Sequence, residues 1–152
     1  MNSPHHMPRY EVAARVLAVL LLTFTAAAPA AELQDECGAC HIVYPAKLLP
    51  AQSWQQVMGS LAKHFGTDAS LDPAAAKRIE ALLVQGAGQP RRMRLAPGQP
   101  APLRITEMQW FLREHDEIPP SRWRSPKVRS ASRCEACHVN AERGQFDDDD
   151  KK

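Results

Sequence analysis

The pentapeptide CGACH at Cys37–His41 returns as CEACH at Cys134–His138, and the two copies use all four cysteines of the 152-residue chain. Cys-x-x-Cys-His is the attachment pattern of c-type haem. The chemistry requires each residue type. Two thiols add across the two vinyl groups of the macrocycle, and the histidine directly after them is placed to bind the iron from one face. Two complete copies with no cysteine left over imply two covalently bound haem c groups.

Other uses of four cysteines fit less well. Small exported chains often carry structural disulfides, but here the cysteines sit in tight pairs, each followed by a histidine. A four-thiolate zinc ribbon keeps its pairs roughly 15–20 residues apart, whereas these pairs lie near opposite ends of the mature chain. A thioredoxin-like site needs a βαβ setting, and no strand pattern surrounds either motif.

The N-terminus predicts export. Arg9 and Arg15 precede an apolar run from Val16 to Phe24, and small residues follow at Ala26–Ala31. That is the order of a signal peptide, residues 1–30, with Ala28 and Ala30 at the two specificity positions and cleavage after Ala30. The run is shorter than the about 20 apolar residues a spanning helix needs, so no stable membrane insertion is expected after cleavage. The expected location is the bacterial periplasm, where c-type haem is attached.

About 120 residues then remain, enough for one small domain or two very small lobes. Thirteen prolines and seven glycines work against long regular structure, and two macrocycles supply apolar surface that so short a chain lacks. Periodicity and capping signals predict a mainly α fold, short helices and proline-rich loops wrapped around the haems. Asp35 caps a short helix bearing CGACH, and Ser53 with Gln56 forms a capping box for a helix running to about Phe65. Asp72 and Pro73 open another that Gly86 closes. Thr106 with Gln109 caps one reaching His115 before Pro119–Pro120 stops it, and Ser132 with Glu135 caps the second haem motif. The organisation reads as an N-terminal haem segment over 31–90, a connector over 91–103, a C-terminal haem segment over 104–146 and an acidic disordered tail over 147–152.

Six histidines are present, and His5 and His6 leave with the signal peptide. His41 and His138 belong to the motifs as proximal ligands, so His64 and His115 remain for the opposite faces of two irons. Their positions suit this. His64 lies beside the apolar stripe Trp54, Val57, Met58, Leu61 and Phe65, and His115 continues Ile105, Met108 and Leu112 in three- and four-residue steps. Met58, Met93 and Met108 compete as ligands that would raise a potential, but Met58 and Met108 suit core filling and Met93 falls in the connector. The reading is bis-histidine ligation at both haems. Equal separations favour the local pairs His41 with His64 and His115 with His138; crossed pairs also satisfy the count.

The segments ECGACHIVYPAKLLPAQSWQQVMGSLAKHFG, ITEMQWFLREHDEIP and CEACHVNAERGQFDDDD cover most of the mature chain. In them the chain resembles the small dihaem cytochrome c family, whose members donate electrons to an oxygen-binding monohaem protein, sphaeroides haem protein. The resemblance implies low potentials and a pure electron-transfer role. It assigns Cys37 and Cys40 to the first haem, Cys134 and Cys137 to the second, His41 and His138 as proximal ligands, and His64 and His115 as distal ones.

Trp54, Phe65, Trp110, Phe111 and Trp123 are expected to pack on the macrocycles. The stretch Arg91–Arg133 is basic, with Arg122, Arg124, Lys127 and Arg129 close together. Some of these cations suit haem propionates, and others suit a docking patch for a redox partner. Nucleic acid is a poor reading for an exported haem protein. Expected partners are a monohaem oxygen-binding cytochrome and a membrane b-type cytochrome, met by a monomer. The competing function is a haem enzyme or gas-binding protein with one open or labile distal site.

Overall fold

The computed structural model describes residues 28–89, 93 and 100–146. The signal segment through residue 27, most of the connector and the acidic tail lie outside the described residues. Within them the fold is mainly helical and contains no strand; an isolated bridge joins His64 and Thr67.

The α-helices bounded within the described residues are, in chain order, α1 (Ala28–Cys37), α2 (Ala51–Met58), α3 (Pro73–Gln85), α4 (Gln109–Glu114) and α5 (Pro120–Trp123). Short 3₁₀ turns fill between them at Ala46–Leu48, Leu61–Lys63, Ile105–Glu107, Cys134–Ala136 and Ala141–Arg143. Helix α3 forms as its sequence predicts. The Asp72 carboxylate accepts from the N–H groups of Ala74 and Ala75, Pro73 takes the first helical position, and Gly86 ends the helix.

The other expected caps are corrected. Asp35 sits in the last turn of α1 and not at its start; the run Ala30–Gln34 consists of strong helix formers and needs no cap there. Pro50, with ψ at 158°, turns the chain into α2, and the Ser53 hydroxyl donates instead to the Pro102 carbonyl at 2.7 Å. Helix α2 also stops at Met58, because Gly59 follows and the Ser60 hydroxyl folds back on the Gln56 carbonyl,. Thr106 caps nothing: Met108 precedes α4, and that helix ends at Glu114 with His115 just past it. Ser132 pairs with Ser130, and Glu135 with Arg133, so no capping box covers the second motif.

One core joins the two halves of the chain. Leu49, Trp54, Met58, Ile79 and Leu83 from the first half pack with Met93, Met108 and Phe111. Helix α3 lies against both α1 and α2. The Trp54 indole donates to the Ala46 carbonyl at 2.7 Å, and the Ser53–Pro102 bond spans 49 residues of sequence. Arg78 of α3 grips Glu32 of α1 through two hydrogen bonds, of 2.9 and 2.6 Å. That grip steadies the helix whose last residue is Cys37.

Candidate haem-binding centres

The first motif leaves the end of α1. Cys37 closes the helix, and the Gly38 N–H still donates to the Gln34 carbonyl. His41 follows, its Nδ1 donating to the Ile42 carbonyl at 2.7 Å and its ring stacked on Tyr44 at 4.9 Å. His64 arrives from the other side on a tight turn. Its carbonyl accepts from the Thr67 N–H, and the Ala69 N–H reaches back to Leu61. Phe65, at φ 51°, and Gly66, at φ 102°, both take the left-handed conformation that reversal needs. The rings of His41 and His64 face each other with centroids 6.2 Å apart and planes 23° from parallel.

Between and around them lies a cavity of about 530 Å³, within the size range of cofactor sites. Leu49, Trp54, Met58, Leu83 and Phe111 form its apolar wall, and Cys37 and Cys40 open onto it. Burial, with the nearby His41 and Arg104 charges, holds His64 below the usual imidazole range. Burial likewise raises the Cys37 thiol.

The second centre is assembled differently. Its motif is a 3₁₀ turn, Cys134–Ala136, with the His138 N–H donating to the Cys134 carbonyl at 2.8 Å. His115 stands at the end of α4. Its Nδ1 donates to the Phe111 carbonyl at 2.9 Å, and its ring stacks on the Phe111 ring at 4.1 Å, 17° from parallel. Trp123 lies 5.8 Å away, and Phe146 meets His138 edge-on at 5.6 Å. The His115 and His138 centroids are again 6.2 Å apart, but their planes cross at 77°. Burial, then the neighbouring Glu135, pushes the Cys134 thiol up to about 11.

These residues fit two haems. Two imidazoles on opposite sides of one metal, each bonded at about 2.0 Å, hold their ring centres roughly 6 Å apart. Both pairs meet that span. In His41 and His115 the Nδ1 is tied to a carbonyl, which leaves Nε2 available to a metal and fixes the ring,. All four cysteines are outside disulfides.

The structure brings together His41 with His64 and His115 with His138, the local arrangement. The three competing methionines, Met58, Met93 and Met108, are all buried in the core cluster. The two centres also touch. Cys134 lies on the rim of the first cavity, and the Tyr44 hydroxyl donates to the Ser132 carbonyl at 2.7 Å across 88 residues. Gly144, at φ 71°, packs against Pro45 so closely that a Cβ there would meet the proline ring at 2.9 Å. Sequence reasoning gave Tyr44 no role, read Pro45 only as a stop, and included Arg104 only within the basic stretch. Arg104 borders the first cavity and lies 4.1 Å over the Phe65 ring. Tyr44, three residues past a motif histidine, was a signal available for the first contact; nothing local marks Ser132 as its partner.

A helical fold enclosing two such sites defines a c-type haem protein. Residues 33–146 match the family model described as dihaem cytochrome c. Three solved structures are similar. A dihaem cytochrome c from Shewanella baltica is 46% identical, covering 82% of this chain and 92% of its own, with a TM-score of 0.70. Two structures of the dihaem cytochrome c from Rhodobacter sphaeroides are 47% and 48% identical, with TM-scores of 0.63 and 0.68. Each covers 76% of this chain, and the match spans 95% and 94% of theirs. Comparison with curated protein sequences finds no match. The chain belongs to the dihaem cytochrome c family and carries two covalently bound haem c groups.

Proposed function

We propose that this protein is an exported electron carrier whose two irons are each held by two histidines, His41 with His64 and His115 with His138. Cys37 and Cys40 attach the first haem, and Cys134 and Cys137 the second. The observation that carries the reading is the pair of facing imidazoles, both at 6.2 Å. When bound, each haem supplies a one-electron ferric–ferrous couple.

The protein's side chains do the rest. With an imidazole on each face, no iron position is left for a substrate, and the ligand set stays the same in both oxidation states. Two imidazoles favour the ferric form relative to a histidine–methionine pair, so low potentials follow. Leu49, Trp54, Met58, Leu83 and Phe111 offer the first haem an apolar wall to pack on.

The signal segment and cleavage after Ala30 send the chain to the periplasm; among the described residues no helix is long and apolar enough to cross a membrane. Arg122 in α5, and Arg124, Lys127 and Arg129 between α5 and the second motif, are exposed. They suit brief, charge-steered encounters of a monomer with redox partners, a monohaem oxygen-binding cytochrome and a membrane b-type cytochrome.

Optical spectra of the exported protein test the reading when taken oxidised, reduced, and reduced under carbon monoxide, against haem per chain. Two low-spin haems unmoved by carbon monoxide are expected. A shift at either haem would mean an open or labile distal site and would move the protein to the haem enzymes or gas binders.

A further inference from the structure

Phe111 is 6% exposed and belongs to both centres at once. The residue is part of the wall of the first cavity. The same residue stacks on His115 at 4.1 Å and accepts the His115 Nδ1 proton on its carbonyl at 2.9 Å. Trp123 also flanks His115, at 5.8 Å, but is not among the residues lining the first cavity.

We infer that Phe111 is a positioning residue shared by the two haems, setting the ring plane of His115 at the second while closing the first against solvent. The inference rests on His115 being an iron ligand. Its physical basis is the packing of α4. The helix is only six residues long, so Phe111 and His115 lie one turn apart on one face, and that face is wedged between the two sites. A buried ring in this place cannot change without altering what both haems touch. Interiors are close-packed, and a lost ring is felt by every neighbour. The first haem would lose an apolar wall, and its iron would sit in a more polar surrounding; polarity and solvent exposure are recognised levers on haem potential. The second haem would keep its ligand, because the Phe111 carbonyl survives any side-chain change, but the ligand's ring would lose the stack that orients it.

The test uses the full chain matured with its haems, comparing wild type, Phe111→Leu and Trp123→Phe. Each is titrated potentiometrically, and the ferric low-spin signals are read by electron paramagnetic resonance, which responds to the angle between the two axial imidazole planes. In F111L both midpoints are expected to move, each on the order of the tenfold change in oxidised-to-reduced ratio that 59 mV represents. The second haem's resonance signal should shift as well. In W123F the second haem alone should respond. Movement confined to one haem in F111L, or to neither, overturns the inference. If F111L fails to carry two haems, Phe111→Met fills the volume without a ring and is held to the same outcomes. The ligand assignment has its own control: if His115→Ala leaves the second haem low-spin, that assignment fails whatever F111L does.

Discussion

The two haem motifs differ at one of five positions, Gly38 against Glu135, yet their surroundings have little in common. The first ends a ten-residue α-helix clamped to α3 by the Glu32–Arg78 pair. The second is a 3₁₀ turn of three residues. Both place the motif histidine 6.2 Å from a partner imidazole, but the planes are near parallel at the first and crossed at the second. The span between each motif histidine and its partner imidazole is the same at both centres. Ring orientation is left to context: a strained turn behind His64, and the Phe111 stack behind His115.

The centres also differ in how far the fold depends on them, and removal of each haem exposes the largest effect. The first cavity is lined by five members of the core cluster, so Cys37→Ser with Cys40→Ser empties the middle of the domain. Losing one large buried side chain costs about 3–5 kcal/mol, and a macrocycle is larger than any of them. The double variant should fall in denaturant midpoint well below Cys134→Ser with Cys137→Ser, each carrying one haem per chain. Equal losses, or a greater loss from the second pair, would break the comparison.

A smaller difference should appear when the distal ligands are replaced. In His64→Gly and His115→Gly, added imidazole can take the vacated place. At the second centre it meets the Phe111 carbonyl and ring that hold His115. One hydrogen bond contributes about 0.5–1.5 kcal/mol, and an aromatic stack a similar amount. At the first centre the described contact is an edge of Phe65. Imidazole should therefore restore the low-spin spectrum of H115G at a concentration roughly ten or more times lower than H64G needs. Equal affinities would mean that the stack contributes nothing to holding the ligand.

How much of this was legible in the sequence divides along physical lines. The cofactors, the helical class and the start of α3 rest on short-range patterns, and these carry their own chemistry: thiol spacing, three- and four-residue steps, an Asp–Pro cap. The misread caps do not share one cause. Ser53, Thr106 and Ser132 all match local capping signals, but the tertiary fold brings the Pro102 carbonyl to Ser53, while Ser132 meets Ser130 two residues before it. The Tyr44–Ser132 bond, the Gly144–Pro45 contact and the double role of Phe111 join residues that sequence separates widely. No local pattern records which distant partner closes such a contact.

The contrast in ring planes is a spectroscopic prediction in wild type. Near-parallel axial imidazoles split the iron d orbitals unequally and give a rhombic low-spin signal, whereas crossed imidazoles leave two orbitals nearly degenerate and give a broad, highly anisotropic one. Electron paramagnetic resonance of the ferric protein should show one of each, with the anisotropic signal lost in H115G. Two signals of the same kind would remove the orientational difference between the centres and leave only their packing to distinguish them.

The smallest expected effect concerns the clamp on α1. The Arg78 guanidinium, through its hydrogen bonds, holds Glu32 below the usual carboxylate range. A carboxylate whose folded value is depressed contributes stability above its unfolded value, about 4.3 for glutamate, and loses it as the pH falls through the folded value. Both partners are open to solvent, where salt screens such pairs strongly. Glu32→Gln should therefore lower the denaturant midpoint slightly at neutral pH and low salt. The difference should shrink in molar salt, and also as the pH falls from about 4.3 through the lower folded value. Among the described residues the second motif shows no comparable clamp to α3, and the pair beside it, Arg133 with Glu135, spans two residues of its own turn. Glu135→Gln should leave the packing of α1 on α3 unchanged under the same conditions. If E32Q and E135Q behave alike, the first motif owes its placement to the haem cavity and the helix–helix contact alone, and the charge pair is a surface accompaniment to both.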